Sequence, residues 1–104
     1  MKNHNNKTKT WLNNDTDEFF KTILKLRNTT ECLNFFRDLL TEKEITTFAM
    51  RWKVAKMLYS GFTYEEIEKE TGMSSTTIAR INRWLEYGEG GYKLMLKRTK
   101  QHSH

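Results

Sequence analysis

The chain has 104 residues, of which 37% are hydrophobic and 30% charged, a balance typical of one soluble globular domain. No apolar stretch approaches the roughly 18 residues that span a bilayer, and the single Cys32 excludes an internal disulfide framework. Residues 1–9 lack the apolar core of a secretory signal, so we expect a cytoplasmic protein with no membrane partner.

The positive charge is concentrated at the two ends of the chain. The formal net charge is +5, from 18 Lys and Arg against 13 Asp and Glu. Residues 1–10 and 92–104 contain seven of the cations and no acid, so the region between them is slightly acidic. A basic pI is typical of nucleic-acid binding, but solvated basic tails explain the same charge equally well.

The glycine and proline pattern favours an all-α fold of about six helices. Proline is absent, and all five glycines follow residue 60, whereas a β-sandwich needs frequent turn residues. We expect a disordered polar segment over residues 1–13, a domain over 14–100 and a flexible tail over 101–104. Asp15 with Glu18 predicts the first helix start, and Asn28 to Thr30 separate that helix from a second.

The third predicted helix begins at a capping box and is apolar on two faces. Thr41 and Glu44 have the capping-box spacing, and Gly61 follows a helix that runs to about Ser60. One face combines Ile45, Phe48, Trp52, Ala55 and Tyr59, and the other combines Met50, Val54, Met57 and Leu58. Burial on two sides favours a partner subunit, with a crowded monomeric core as the alternative.

Residues 63–87 have the pattern of a helix-turn-helix. Thr63 and Glu66 form a second capping box, Gly72 ends that helix, and Ser74 caps the next, which reaches about Tyr87. Apolar residues are spaced so that two crossing helices share one core: Ile67, Met73, Ile78 and Ile81. A last basic helix is expected over residues 92–100, with Tyr92, Leu94, Met95 and Leu96 as its apolar contacts.

The outward face of the helix at about 75–87 suits the major groove of DNA. Arginine can bind guanine, threonine or alanine can contact the thymine methyl group, and a helix N-terminus can bind phosphate. The expected DNA-binding residues are Ser74, Ser75, Thr76, Thr77, Ala79, Arg80 and Arg83. The preceding helix is acidic, and Glu65 and Glu68 leave open a protein-interaction module that keeps the same scaffold without binding DNA.

Residues 39–44, 50–54 and 64–85 resemble the Trp repressor superfamily in order and spacing, and within it the YerC/YecD-like branch. The resemblance covers roughly residues 16–100 and implies an all-helical, intertwined homodimer that binds double-stranded DNA. The expected function is therefore a sequence-specific transcriptional regulator, a repressor, with residues 75–87 as the recognition helix. We find no constellation of catalytic residues, so we do not expect an enzyme.

The same resemblance places an altered effector pocket at Thr41, Arg51, Arg80, Ile81 and Trp84. Thr41 and the two arginines match the family's polar contacts to free tryptophan, whereas Ile81 and Trp84 stand where the family has glycine and serine. These two larger side chains remove the space for the ligand, so we do not expect free tryptophan to bind. No cofactor is expected, and His102 and His104 make a poor metal site in a terminal tail.

Overall fold

The computed structural model describes residues 10–100, which form six α-helices and, within that range, no β-strand. The helices are α1 (Asn14–Ile23), α2 (Thr29–Leu39), α3 (Glu42–Tyr59), α4 (Tyr64–Thr71), α5 (Ser75–Tyr87) and α6 (Gly91–Lys100). The prediction of an all-α fold with about six helices is confirmed. Residues 1–9 of the predicted disordered segment, and the predicted tail at 101–104 with its two histidines, lie outside the described residues.

The chain divides into two compact units, Met1–Thr41 and Glu42–His104. The first unit contains α1 and α2, and the second contains α3 to α6. None of the helices in residues 10–100 is long and apolar enough to cross a membrane.

Helix α1 starts at a different signal from the one expected. The Asn13 Oδ1 atom accepts a hydrogen bond from Thr16 N at 3.0 Å, and Thr16 Oγ1 accepts one from Asn13 N at 2.9 Å. The start predicted from Asp15 and Glu18 was therefore wrong by two residues. Asparagine is among the best N-cap residues, and it leaves Asp15 in the first turn, where a carboxylate is favoured by the helix dipole.

Aromatic rings pack together within the first unit. The Phe19 and Phe35 ring centroids, one on each helix, are 6.5 Å apart, and the Trp11 ring meets the Phe20 ring edge-on, with 6.5 Å between centroids. Neither α1 nor α2 contains a buried residue. Four large apolar side chains of this unit are about half exposed or more in the single chain: Phe20, Leu24, Leu33 and Leu39.

In the second unit, a glycine ends α3 where the sequence predicts it. Gly61 has a φ of +91°, and its N–H donates to the Leu58 carbonyl at 3.0 Å, while the Phe62 N–H donates to the Met57 carbonyl at 3.0 Å. This paired arrangement is the Schellman motif, in which the left-handed residue is almost always glycine or asparagine. Helix α3 begins directly after Thr41, as expected from the sequence.

The core of the second unit lies where α3, α4 and α5 meet. Its five side chains have no exposed surface: Val54, Ala55, Ile67, Ile78 and Ile81. Partly buried Met73 packs against them, so the core predicted for the two crossing helices is confirmed. Burying an isoleucine side chain stabilises a fold by about 1.5–3 kcal/mol, so these residues fix α4 and α5 against α3.

Helix α6 contributes fewer buried contacts than predicted. Leu96 is buried and Tyr92 packs against the core, but Leu94 and Met95 are 46% and 45% exposed. On α3, Phe48 and Tyr59 are likewise about half exposed, although Val54 and Ala55 are fully buried. The second unit therefore also presents apolar surface in the single chain.

Candidate nucleic-acid interface

The turn between α4 and α5 is held by hydrogen bonds from its own residues. Gly72 has a φ of +77°, and its N–H donates to the Glu68 carbonyl at 2.8 Å. The Thr71 hydroxyl donates to the Ile67 carbonyl at 2.7 Å and accepts from Met73 N at 3.2 Å. With these groups satisfied, the turn sets the direction in which α5 leaves α4.

Ser74 caps α5 and connects to a second hydroxyl. The Ser74 Oγ atom accepts a hydrogen bond from Thr77 N at 3.2 Å and donates to Thr77 Oγ1 at 3.1 Å. Ser75 and Thr76 at the same end are exposed. The helix N-terminus thus presents hydroxyl groups and free backbone N–H groups, which together can bind a phosphate oxygen.

The two faces of α5 differ sharply in burial. Ile78 and Ile81 have no exposed surface, and Leu85 is 4% exposed. The opposite face is exposed and consists of Thr76, Ala79, Arg80, Arg83 and Tyr87. Of the seven residues predicted to contact DNA, six are exposed and Thr77 is half-buried.

Two of the four glutamates of α4 are engaged in structural contacts. The Glu66 carboxylate accepts a hydrogen bond from Thr63 N at 2.8 Å and completes the predicted capping box. The Glu70 carboxylate lies 3.1 Å from Lys53 Nζ on α3, an ion pair between side chains 17 residues apart that the sequence did not indicate. Glu65 and Glu68 have no such partner among the described residues, and Glu65 is exposed.

The structure brings together part of the predicted effector pocket. The Arg51 Cζ atom is 5.8 Å from the centroid of the Trp84 ring, and Ile81 is fully buried. The Arg80 side chain is exposed and makes no hydrogen bond or ion pair with another described residue. Thr41 belongs to the first unit and directly precedes α3.

Three aromatic residues near Arg51 were not predicted as part of this region. The Phe48 ring centroid is 5.8 Å from Arg51 Cζ, and the Trp52 and Tyr92 rings stack with centroids 6.4 Å apart. Burial raises the pKa of the Tyr92 hydroxyl above its ordinary value, and the nearby charge of Arg51 partly offsets that effect. Trp52 and Tyr92 are far apart in sequence and meet only because α3 packs against α6.

A basic groove of about 390 Å³ runs along α3 and α6. It is lined by Lys56, Tyr59, Ser60, Leu96, Thr99 and Lys100, with no acidic side chain among them. Lys100 Nζ lies 5.9 Å from the centroid of the Tyr59 ring, and Lys93 Nζ is 3.9 Å from the Glu86 carboxylate on α5. In residues 10–100, no cluster of three His, Cys, Asp or Glu side chains could hold a metal ion.

A short helix, a left-handed glycine and a second helix with one buried and one exposed face define a helix-turn-helix protein. A sequence model of the family described as Trp repressor protein matches residues 14–100. The chain therefore belongs to the Trp repressor family, and the resemblance inferred from the sequence is confirmed.

Individual relatives agree with this assignment. The chain is 46% identical over 87 residues to YerC, an uncharacterized protein of Bacillus subtilis (strain 168), and the match covers 84% of each chain. A crystal structure of a candidate Trp repressor from Staphylococcus aureus superposes with a TM-score of 0.84 at 41% identity and covers 88% of this chain and 92% of its own. The crystal structure of a TrpR-like protein from Eubacterium eligens ATCC 27750 superposes with a TM-score of 0.85 at 37% identity, and it covers 88% of this chain and 95% of its own.

Proposed function

We propose that this protein is a sequence-specific DNA-binding transcriptional regulator, a repressor, with α5 as its recognition helix. The observation that carries the proposal is the division of α5 into a buried face of Ile78, Ile81 and Leu85 and an exposed face of threonine, alanine and arginine. The Trp repressor family supports a regulator that binds DNA. An α-helix fits the major groove, where each base pair presents a distinct pattern of donors and acceptors.

Each of the predicted DNA-binding residues has a role in this proposal. Arg80 and Arg83 reach the O6 and N7 atoms of guanine or the flanking phosphates, and Thr76 and Ala79 contact thymine methyl groups. The hydroxyls of Ser74, Ser75 and Thr77 lie at the helix N-terminus, where they and the backbone N–H groups bind a phosphate. Base contacts give sequence preference, whereas phosphate contacts give affinity and orientation.

The active species in this proposal is a homodimer in the cytoplasm. Exposed apolar side chains in both units support it, because a second copy would cover surface that a soluble monomer rarely presents. A two-fold symmetric dimer places two recognition helices about one turn of DNA apart, so the operator is a palindrome or close to one. Free tryptophan is not its ligand in this proposal, because Ile81 and Trp84 stand where the resemblance places glycine and serine.

Selection of genomic fragments by the purified full-length chain tests the proposal. We expect a discrete set of fragments sharing one motif, bound more tightly than random duplex at every salt concentration. The logarithm of the binding constant should fall linearly with the logarithm of the salt concentration, because phosphate contacts release counterions. Binding that is equal for all sequences, or absent at low salt, would contradict a sequence-specific regulator.

Exposed Glu65, with Glu68, favours a second candidate, a protein-interaction module on the same scaffold. Acidic side chains beside the recognition helix repel phosphate, but they would attract a basic partner protein. The variant Glu65→Gln/Glu68→Gln separates the two functions. A regulator should bind duplex DNA more tightly, because two charges that repel phosphate are removed, whereas an interaction module should lose its protein partner and bind no duplex DNA.

A further inference from the structure

Arg51 contacts aromatic rings on two different helices. Its Cζ atom is 5.8 Å from the centroid of the Phe48 ring, one turn earlier on α3, and 5.8 Å from the ring of Trp84 on α5. Both distances fall within the about 6 Å over which a guanidinium is attracted to an aromatic face. We call Phe48, Arg51 and Trp84 the aromatic clamp.

The clamp fixes a part of α5 that the turn does not reach. The hydrogen bonds around Gly72 and Ser74 hold the beginning of the helix, whereas Trp84 lies one turn before its end. Along its length the helix is held by burial of Ile78, Ile81 and Leu85. The clamp adds a directional contact on the exposed side of α5, near its end, and so limits movement of the part of the helix that carries Arg80 and Arg83.

The clamp leaves no space for a planar ligand between its members. The Arg51 Cζ atom is already within cation–π distance of the Trp84 ring, so a ring inserted between them would have to displace one of the two side chains. Ile81, one turn before Trp84, has no exposed surface. The contact between the guanidinium and the indole is thus made within the chain itself.

We propose that the aromatic clamp holds α5 in its DNA-binding orientation, so that the protein binds duplex DNA without a small-molecule effector. The proposal rests on the function proposed above and adds how that function is regulated. Phe48, Arg51 and Trp84 act as positioning residues, because they fix the helix that carries the DNA-contacting side chains.

The first test compares tryptophan variants on a duplex that the full-length protein has selected from genomic fragments. We expect Trp84→Ala to raise the dissociation constant about tenfold, and Trp84→Phe to stay within about threefold of the wild type, because it keeps a ring beside Arg51. Trp11→Ala is the matched control, since Trp11 is similarly exposed, at 54% against 41%, and belongs to the first unit. Wild-type affinity in a folded Trp84→Ala protein would overturn the proposal.

A second test asks whether free indole replaces the missing ring in the Trp84→Ala variant. At roughly millimolar concentration, indole should tighten DNA binding by the Trp84→Ala variant, because it fills the space beside Arg51, and should leave the wild type unchanged. Wild-type protein that has been unfolded, dialysed and refolded should bind as well as the native sample. If the refolded protein binds DNA only after the low-mass fraction of the lysate is added back, an effector is required and the proposal is overturned.

Arg51→Met keeps the proposal testable if Trp84→Ala fails to fold. Methionine retains an unbranched side chain without the charge, so we expect a similar loss of about tenfold in a folded protein. The double variant Arg51→Met/Trp84→Ala should lose no more affinity than the more damaging of the two single variants, because both changes remove the same contact. A wild-type protein that binds no duplex would contradict both proposals, whereas additive losses in the double variant would contradict the clamp alone.

Discussion

At the residue scale, replacing Arg83 on α5 tests DNA binding without disturbing the fold. It is exposed, and the buried Ile78 and Ile81 lie on the opposite side of the same helix. Surface substitutions away from the core usually change the free energy of unfolding by less than about 0.5 kcal/mol. A change in DNA binding on replacing Arg83 can therefore be assigned to the interface rather than to the fold.

We expect Arg83→Ala to weaken binding to the selected operator by about 1–3 kcal/mol and to relax the base preference at one position, because alanine cannot reach guanine. Titrations of operator and random duplex at several salt concentrations measure both effects. Arg27→Ala in the first unit is the control and should bind as the wild type does. An equal loss on both duplexes, with a salt slope smaller by about 0.9, would mean that Arg83 contacts phosphate instead.

Ile81 and Trp84 lead to a prediction about ligand binding. We expect calorimetric titration with free L-tryptophan to show no heat of binding at micromolar concentrations, because Ile81 is fully buried in the core and Trp84 contacts Arg51. Arginine serves as the injection control, since it shares the amino-acid group but not the indole. A micromolar dissociation constant with one site per subunit would contradict the prediction.

Residue roles were predictable where they depend on helix periodicity alone. The buried and exposed faces of α5 follow from a spacing of about 100° per residue, which places Ile78 and Ile81 opposite Thr76 and Arg83. The contact of Arg51 with Trp84 could not be predicted in this way. It depends on how α3 and α5 cross, and no local pattern encodes that distance.

At the element scale, Gly72 is the residue that makes α4 and α5 separate helices. Its φ of +77° lies in the left-handed region, yet a Cβ atom there would meet nothing within 4 Å. The cost of another residue at this position is therefore one of backbone conformation rather than of steric contact, about 1–2 kcal/mol.

We expect Gly72→Ala to lower the free energy of unfolding by about 1–2 kcal/mol in chemical denaturation. Gly91→Ala is the matched control: a Cβ atom at Gly91 also meets nothing within 4 Å, but its φ is not positive and it begins α6. That variant should be neutral or more stable by up to about 1 kcal/mol, because alanine reduces the entropy of the unfolded chain. Equal effects of the two substitutions would argue against a strained turn.

Helix ends were predictable where a single local signal was present. The Thr63 and Glu66 capping box, the Ser74 cap and the glycines that end α3 and α4 lie where the sequence indicates. At α1 the Asn13 side chain caps the helix two residues before the predicted start, and Asp15 lies in the first turn. The ion pair of Lys53 with Glu70 joins two helices and has no local signal at all.

At the scale of the whole molecule, exposed apolar side chains occur in both units. Leu24 and Leu33 in the first unit are 83% and 63% exposed, and Phe48 in the second is 50% exposed. Covering about 100 Å² of such surface contributes roughly 2.5 kcal/mol, so association of two copies has a substantial driving force.

We expect sedimentation at micromolar concentration to give a single species of twice the 12.5 kDa chain mass. Leu33→Glu should shift the protein toward monomer, because it places a charge on the exposed apolar face of α2. Asn34→Glu adds the same charge at a neighbouring exposed position and should leave the mass unchanged. A stable folded species of single-chain mass in the wild type would contradict the homodimer.

The three tryptophans are distributed so that intrinsic fluorescence can resolve separate events. Trp11 packs on Phe20 in the first unit, Trp52 stacks on Tyr92 between α3 and α6, and Trp84 contacts the charge of Arg51 on the recognition helix. A chain that keeps one indole and has phenylalanine at the other two positions would report on a single location. Emission from Trp11 would then follow unfolding of the first unit, while emission from Trp84 would follow the arrival of an operator in a stopped-flow experiment.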